Sequence, residues 1–112
     1  MATVTYNKLV RDKIPEIIRS RGADCEVEVL SPAEYLAALD RKLDEELAEY
    51  HADQNLEELA DLLEVIVAVA AARGATLAEI EAIRAEKARQ RGGFEKRLFL
   101  KRVMEQQAPG CS

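Results

Sequence analysis

Apolar residues recur every three or four positions over a long stretch in the middle of the chain. The stretch opens with Ser31-Pro32-Ala33-Glu34, the pattern of a capping box with proline at the first helical position. Its apolar positions are Leu36, Leu39, Leu43, Leu47 and Tyr50. This spacing predicts a long amphipathic helix that runs to about Ala52.

A second helix with similar spacing follows after a short break. Asn55 or Asp53 is expected to cap it, and Gly74 should follow its last turn. Within it, the eight residues Val65–Ala72 are all apolar, so the helix has no polar face there. We therefore expect this part of the helix to be surrounded, at the centre of the core and of any dimer interface.

Shorter signals predict two further helices and leave the C-terminal part open. Asp12 precedes a short apolar pattern that Gly22 should end. Thr76-Leu77-Ala78-Glu79 is another capping box, and its helix should stop at Gly92-Gly93. Residues 25–30 alternate acidic and apolar positions and indicate a short extended segment at most. Residues 94–104 mix apolar and basic positions and fit either a helix or an extended arm.

The composition indicates a wide, thin core. Of the 112 residues, 18 are alanine and only five are aromatic. Small side chains bury little apolar area per residue, so we expect a second copy to complete the core. We predict one mostly α domain over residues 1–112, with residues 105–112 as a disordered tail.

Charge and hydropathy exclude several classes of partner. The chain has 21 acidic and 16 basic residues, a net charge of −5 that does not favour nucleic acid. Its longest apolar run is eight residues, far below the roughly 20 that span a bilayer. The N-terminus lacks a signal-peptide pattern, and Cys25 and Cys111 form no CxxC motif. We expect a cytoplasmic protein without a nucleic-acid or membrane partner.

Two acidic residues fall on the apolar faces of the two long helices. Glu46 lies seven residues after Leu39 and four before Tyr50, which places it within about 40° of both around the helix axis. Glu58 lies seven residues before Val65 on the next helix. Burying an unpaired carboxylate is costly, so such a group protonates, pairs with a cation or binds a metal.

Two more acids extend this pattern. Glu49 lies one turn after Glu46, and Asp61 one turn after Glu58. An antiparallel pairing of the two helices would therefore bring four carboxylates together. An oxygen-only ligand set suits Mg²⁺ or Mn²⁺, whereas zinc favours histidine or cysteine, which residues 42–49 and 57–61 lack. Such a cation usually keeps water and takes further ligands from substrate phosphates.

Ordinary structural roles for the same side chains stay open. Glu58 fits the N3 position of a helix capped by Asn55, and Glu46 is placed to pair with Lys42 four residues earlier. The only histidine, His51, is expected at the surface.

Two groups of basic residues are candidates for binding phosphate. One group stands just before the first helix and consists of Lys8, Arg11 and Lys13. The other recurs at steps of three and four on the last helix and consists of Arg84, Lys87 and Arg91. Pairing with the acidic faces of neighbouring helices is the alternative for both groups.

Three blocks of residues resemble a known superfamily. Residues 8–18, Lys-Leu-Val-Arg-Asp-Lys-Ile-Pro-Glu-Ile-Ile, resemble the opening of small MazG-like, phosphoribosyl-ATP pyrophosphohydrolase-like proteins. Glu45-Glu46-x-x-Glu49 with Glu58-x-x-Asp61 resembles the superfamily's metal signature. Lys87-x-x-x-Arg91-Gly92-Gly93-Phe94 resembles the closing motif of this subgroup.

The resemblance implies a single all-α domain, a bundle of MazG-like type with four or five helices, completed by dimerisation in a homodimer or homotetramer. It further implies a nucleotide pyrophosphohydrolase that splits a nucleoside triphosphate between its α- and β-phosphates, for instance to clear non-standard nucleotides. By position, Glu46, Glu49, Glu58 and Asp61 would hold Mg²⁺, and Glu45 is a candidate general base. The alternatives are phosphoribosyl-ATP hydrolysis in histidine synthesis and a non-enzymatic helical dimerisation or regulatory module.

Overall fold

A computed structural model describes residues 2–104 of the chain. This part contains no β-strand, which confirms the all-α prediction. Its four helices are α1 (Ile14–Ser20), α2 (Pro32–Asp53), α3 (Leu56–Ala72) and α4 (Leu77–Arg91). The predicted tail, residues 105–112 with Cys111, lies outside the described residues.

The chain divides into two compact units, Met1–Ile80 and Glu81–Ser112. The first unit contains α1, α2, α3 and the first residues of α4, and the second contains the rest of α4. A single domain over the whole chain stays a prediction.

Helix α2 begins and ends where its sequence signals predict. The Ser31 hydroxyl accepts a hydrogen bond from the Glu34 N–H at 3.3 Å, and the Glu34 carboxylate accepts one from the Ser31 N–H at 3.1 Å. This reciprocal capping box satisfies two N–H groups that the first helical turn leaves free. The helix ends at Asp53, and Gln54 then turns the chain in the left-handed conformation with φ of 52°.

Helix α3 follows after only two residues, so α2 and α3 form a helical hairpin. The Asn55 side chain caps α3 by accepting the Glu58 N–H at 3.0 Å. Gly74, with φ of 83°, follows its last turn. The hairpin contains the core of the first unit, and this core is small. The buried apolar residues among those that the structure describes are Ala38, Leu39, Val65 and Ala70.

The segment before α1 lies against this hairpin. Lys8 pairs with Glu45 on α2, and Arg11 pairs with Asp61 on α3. Helix α1 itself begins at Ile14 with Lys13 as N-cap and no side-chain cap, so Asp12 does not cap it as expected. The helix ends as predicted before Gly22, which has φ of 88°.

The expectation that Val65–Ala72 is surrounded is wrong for the single chain. Only Val65 and Ala70 are buried in this stretch, and Ile66 is 36% exposed. One face of α3 packs on α2, while its outer face stays accessible among residues 2–104. Three further leucines on α3, Leu56, Leu59 and Leu63, are also exposed.

The last helix is capped by Thr76, whose hydroxyl accepts the Glu79 N–H at 3.1 Å. It ends at Arg91, and Gly92 follows with φ of 82°, as predicted. Residues 97–104 form neither helix nor strand, which excludes the helical alternative for them. Among the described residues, no helix combines the length and the apolar character needed to cross a membrane.

Candidate functional site

Three carboxylates meet inside the α2–α3 hairpin. Glu46 comes from the middle of α2, Glu58 from the first turn of α3, and Asp61 from the next turn of α3. One oxygen from each lies within 4.8 Å of the other two. The hairpin brings them together because its two helices run back along each other after the tight turn at residues 54–55.

Glu46 is the buried member of this carboxylate cluster. Only 7% of the residue is exposed, and its Oε1 lies 3.5 Å from Lys42 Nζ. Its Oε2 is buried and has no hydrogen-bond partner, and the same holds for Glu58 Oε2. A buried acceptor without a donor costs about 1–3 kcal/mol. The two orphaned oxygens therefore mark a place where a proton or a cation would be stabilised.

The electrostatics of the cluster also favour a proton or a cation at this place. Burial raises the pKa of Glu46, the neighbouring charge of Glu49 raises it further, and Lys42 only partly opposes them. Partial burial also raises the pKa of Glu58, with the charges of Glu49, Asp53, Asp61 and Glu46 adding to it. The anionic form of both groups is thus disfavoured unless positive charge is supplied.

Glu49 stands beside the cluster but not in it. The structure brings together three of the four carboxylates that the sequence predicts to converge, and Glu49 is outside the group whose oxygens lie within 4.8 Å. It is exposed, although its charge reaches Glu46 and Glu58. Its role as a ligand stays a prediction.

Glu45, the candidate general base, is held by two lysines. Its Oε1 accepts hydrogen bonds from Lys42 Nζ at 3.1 Å and from Lys8 Nζ at 3.3 Å. Burial works to raise its pKa, but the hydrogen bonds and charges of Lys42 and Lys8 together hold the pKa below its ordinary value. Glu45 is therefore a weaker base here than a free glutamate, and its catalytic role stays a prediction.

Arg11 reaches the cluster from the segment before α1. Its Nη2 donates to Asp61 Oδ1 at 2.7 Å. Together with Lys8 and Lys42 it forms a basic rim around the carboxylates. No basic side chain among residues 2–104 pairs with Glu49 or Glu58.

A cleft of about 460 Å³ opens beside the cluster, between the N-terminal segment and the hairpin. Arg11, Lys42, Glu46 and Asp61 lie on its wall. The apolar part of the wall includes Leu9, Ile17, Tyr35, Leu39, Val65 and Ala68. A cleft of this size with an apolar wall and a few converging charges has the usual form of a small-molecule site.

Sequence reasoning missed this cleft and the partners of Lys8 and Arg11. The apolar wall left a weak signal, since Tyr35 and Leu39 are four residues apart on the same face of α2. The pairing of Lys42 with Glu46, in contrast, follows from their spacing and is confirmed.

The second group of basic residues lies on α4. Lys87 and Arg91 are exposed there and belong to the second unit, so their role in binding phosphate stays a prediction. Arg84, on the same helix, has the ordinary role of an ion-pair partner, because it pairs with Glu81 at 2.6 Å. His51 is exposed, as predicted.

The donor set fits a hard divalent cation. Glu46, Glu58 and Asp61 offer only carboxylate oxygens, and two of those oxygens lack any other partner. Mg²⁺ and Mn²⁺ prefer such ligands and leave positions for water or phosphate.

Comparison with known proteins adds one relative. The chain is 58% identical over 45 residues to an uncharacterized protein of Mycolicibacterium smegmatis (strain ATCC 700084 / mc(2)155). The match covers 40% of this chain and 46% of that protein, so it spans just under half of the relative's length. No family model and no solved structure matches the chain. These comparisons leave the family open.

Proposed function

We propose that the chain is a Mg²⁺-dependent nucleoside triphosphate pyrophosphohydrolase of MazG-like type, acting in the cytoplasm. It would cleave the α–β phosphate bond and release a nucleoside monophosphate and pyrophosphate. The observation that carries this proposal is the buried Glu46 carboxylate, whose free oxygen lies in a cluster with Glu58 and Asp61. A cation would stabilise such a group, and the adjoining cleft has the volume of a small-molecule site.

Glu46, Glu58 and Asp61 would hold the cation, with Glu49 as a further candidate ligand. A Mg²⁺ ion held there would supply positive charge to offset the charge that develops on the phosphates and would lower the pKa of bound water. Mn²⁺ fits the same ligands.

Side chains in and beside the cleft would bind the phosphates, take up the proton and exclude water. Arg11 and Lys42 face the cleft and are placed to bind phosphate oxygens, and Lys8 lies next to them. Water is added across the anhydride between the α- and β-phosphates. One bond to the bridging oxygen breaks, and the nucleoside monophosphate and pyrophosphate separate. Glu45 is the candidate to take the proton of that water. The apolar wall with Tyr35 would exclude water around the nucleoside.

The exposed apolar face of α3 supports a homo-oligomer, a dimer or a tetramer. Leu56, Leu59, Leu63 and Ile66 follow one another at steps of three and four, and each is at least 36% exposed. A continuous apolar row of this kind on a helix is typical of a surface that another subunit covers.

The test is pyrophosphate release from a panel of standard and modified nucleoside triphosphates, and from phosphoribosyl-ATP, with and without Mg²⁺. We expect turnover only with the cation, and its loss in Glu46→Gln. Asp44→Asn is the matched control, because Asp44 lies on the same helix but is exposed. Failure of the intact chain to hydrolyse any substrate in the panel contradicts the proposal, and turnover of phosphoribosyl-ATP alone favours histidine synthesis.

A non-enzymatic helical module is the second candidate, favoured by the ion pairs of Lys42 with Glu46 and of Arg11 with Asp61. In such a module, Glu46 and Asp61 would only form these ion pairs and would bind no metal. A melting temperature that does not respond to Mg²⁺, together with a loss of stability in Glu46→Gln, would support this candidate.

A further inference from the structure

The Arg11 guanidinium occupies the edge of the carboxylate cluster itself. Its Nη2 donates to Asp61 Oδ1 at 2.7 Å, across 50 residues of sequence. Asp61 also supplies one of the three oxygens that lie within 4.8 Å of one another. A cation bound by the cluster would therefore lie only a few ångströms from a permanently charged arginine.

This arrangement creates a competition for Asp61. Two positive charges a few ångströms apart repel each other, although water screens the repulsion where the side chains are partly exposed, as those of Arg11 and Asp61 are. Arg11 and a divalent cation thus oppose each other when both rely on the same carboxylate. The conflict is weaker at Glu46, because Lys42 Nζ lies 3.5 Å from its Oε1 whereas Arg11 lies 2.7 Å from Asp61. Glu58 has no basic partner among residues 2–104.

Arg11 also lies where it would contact a phosphate bound in the cleft. It stands in the segment before α1, which has no helix or strand, and its side chain is 58% exposed. It lies on the wall of the 460 Å³ cleft beside Lys42. A guanidinium binds phosphate with two parallel hydrogen bonds, a geometry that its single bond to Asp61 does not use.

We propose that Arg11 exchanges partners, leaving Asp61 for a phosphate of the substrate when the cation–triphosphate complex enters the cleft. This inference rests on the proposed function and gives its site an order of events. Arg11 opposes the cation when the cation comes alone and favours it when a triphosphate comes with it. Cation and triphosphate therefore bind cooperatively, and Arg11 is the residue that couples them.

Two titrations of the full chain test the exchange. The first measures Mg²⁺ binding alone, and the second measures the binding of inorganic triphosphate at saturating Mg²⁺. In Arg11→Ala, Mg²⁺ alone should bind about threefold more tightly, because an exposed competing charge of modest strength is gone. Inorganic triphosphate should bind about tenfold more weakly, because a charge-assisted pair of hydrogen bonds is lost.

Two further variants make the result specific to Arg11. Arg11→Lys keeps the charge but not the fork, so Mg²⁺ should bind as in the unmodified chain, while triphosphate affinity lies between those of the unmodified chain and Arg11→Ala. Arg19→Ala removes a similarly exposed arginine that pairs with Asp24 at 3.8 Å and should leave both affinities unchanged.

The opposite signs of the two effects separate the exchange from a structural role. If Arg11→Ala binds both Mg²⁺ and inorganic triphosphate more weakly, Arg11 only supports the fold, and the exchange is overturned. Unchanged affinities in Arg11→Ala overturn it as well, while leaving the pyrophosphohydrolase proposal intact. If the unmodified chain binds no inorganic triphosphate with Mg²⁺ present, and Mg²⁺ alone binds neither to it nor to Arg11→Ala, the proposed function is overturned and the exchange with it.

Discussion

Lys42 neutralises only one of the two oxygens of Glu46. Its Nζ lies 3.5 Å from Glu46 Oε1, whereas Glu46 Oε2 is buried and has no partner. The contact is longer than the roughly 2.8 Å of a good charge-assisted hydrogen bond, and the same ammonium also serves Glu45 at 3.1 Å. Glu46 thus carries a charge that the hairpin does not fully compensate.

Glu46→Gln should stabilise the metal-free chain. An amide of the same shape removes the uncompensated charge and can donate to the neighbouring carboxylates, so the free energy of unfolding should rise by about 1 kcal/mol at neutral pH. The melting temperature in the presence of a chelator measures this and should increase by roughly 4 °C. Mg²⁺ should raise the melting temperature of the unmodified chain but not that of the variant.

Asp44→Asn provides the comparison for this prediction, because it removes one carboxylate from an exposed position of the same helix. It should change neither the stability nor the response to Mg²⁺. A Glu46→Gln chain that is less stable than the unmodified one in chelator, or that still responds to Mg²⁺, would contradict the prediction.

The stability of the metal-free chain should depend on pH in a direction set by Glu46 and Glu58. Their pKa values in the folded chain are raised, mainly by burial, so the folded chain holds more protons than the unfolded chain between the ordinary and the raised pKa. The stability that these two groups contribute is therefore fully present at acid pH and is lost as the pH rises through the raised pKa values.

The double variant Glu46→Gln/Glu58→Gln isolates this effect from other acids whose pKa is lowered, such as Glu45. Its advantage in stability over the unmodified chain should be largest at about pH 7.5 and shrink towards about pH 4. Urea unfolding of both chains in the presence of a chelator, at a series of pH values, measures this difference in stability. An advantage that grows on acidification would show that Lys42 and Arg11 already compensate the cluster.

The N-cap of α3 should matter for both the fold and the cluster. Asn55 Oδ1 accepts the backbone N–H of Glu58 at 3.0 Å, so the cap fixes the turn that presents Glu58. Asn55→Ala should cost about 1 kcal/mol of unfolding free energy and should also weaken Mg²⁺ binding. Asn55→Asp keeps a capping oxygen and should retain the stability, as urea titrations of the two variants would show. An equal loss of stability in both variants would mean that the side-chain amide of Asn55, rather than its capping oxygen, is required.

The sequence predicted what depends on neighbours along the chain. The capping box at Ser31, the cap at Asn55 and the end of α3 before Gly74 each rest on residues within one helical turn, and all are confirmed. The position of Glu46 relative to Leu39 and Tyr50 predicts that it points inward, and it is buried.

What the sequence could not predict depends on contacts between distant segments. The partners of Lys8 and Arg11 lie 37 and 50 residues away, and nothing in local spacing encodes them. Glu49 shows a different limit: three residues after Glu46, it is turned about 60° around the helix axis, which is enough to leave it exposed. The apolar run Val65–Ala72 predicted burial on every side, but a hairpin covers only one.

The outer face of α3 should therefore be the contact between subunits. Leu63 is 52% exposed and lies between Leu59 and Ile66 in the row of accessible apolar residues. Leu63→Glu introduces a charge that would be buried without a partner in the dimer, so it should shift the chain to the monomer while leaving the helical content unchanged. Sedimentation or light scattering at several protein concentrations measures the shift. Arg41→Gln, an exposed change on α2, should leave the oligomer intact. An unmodified chain that is already monomeric at high concentration would contradict this assignment, and the apolar row would then need a different partner.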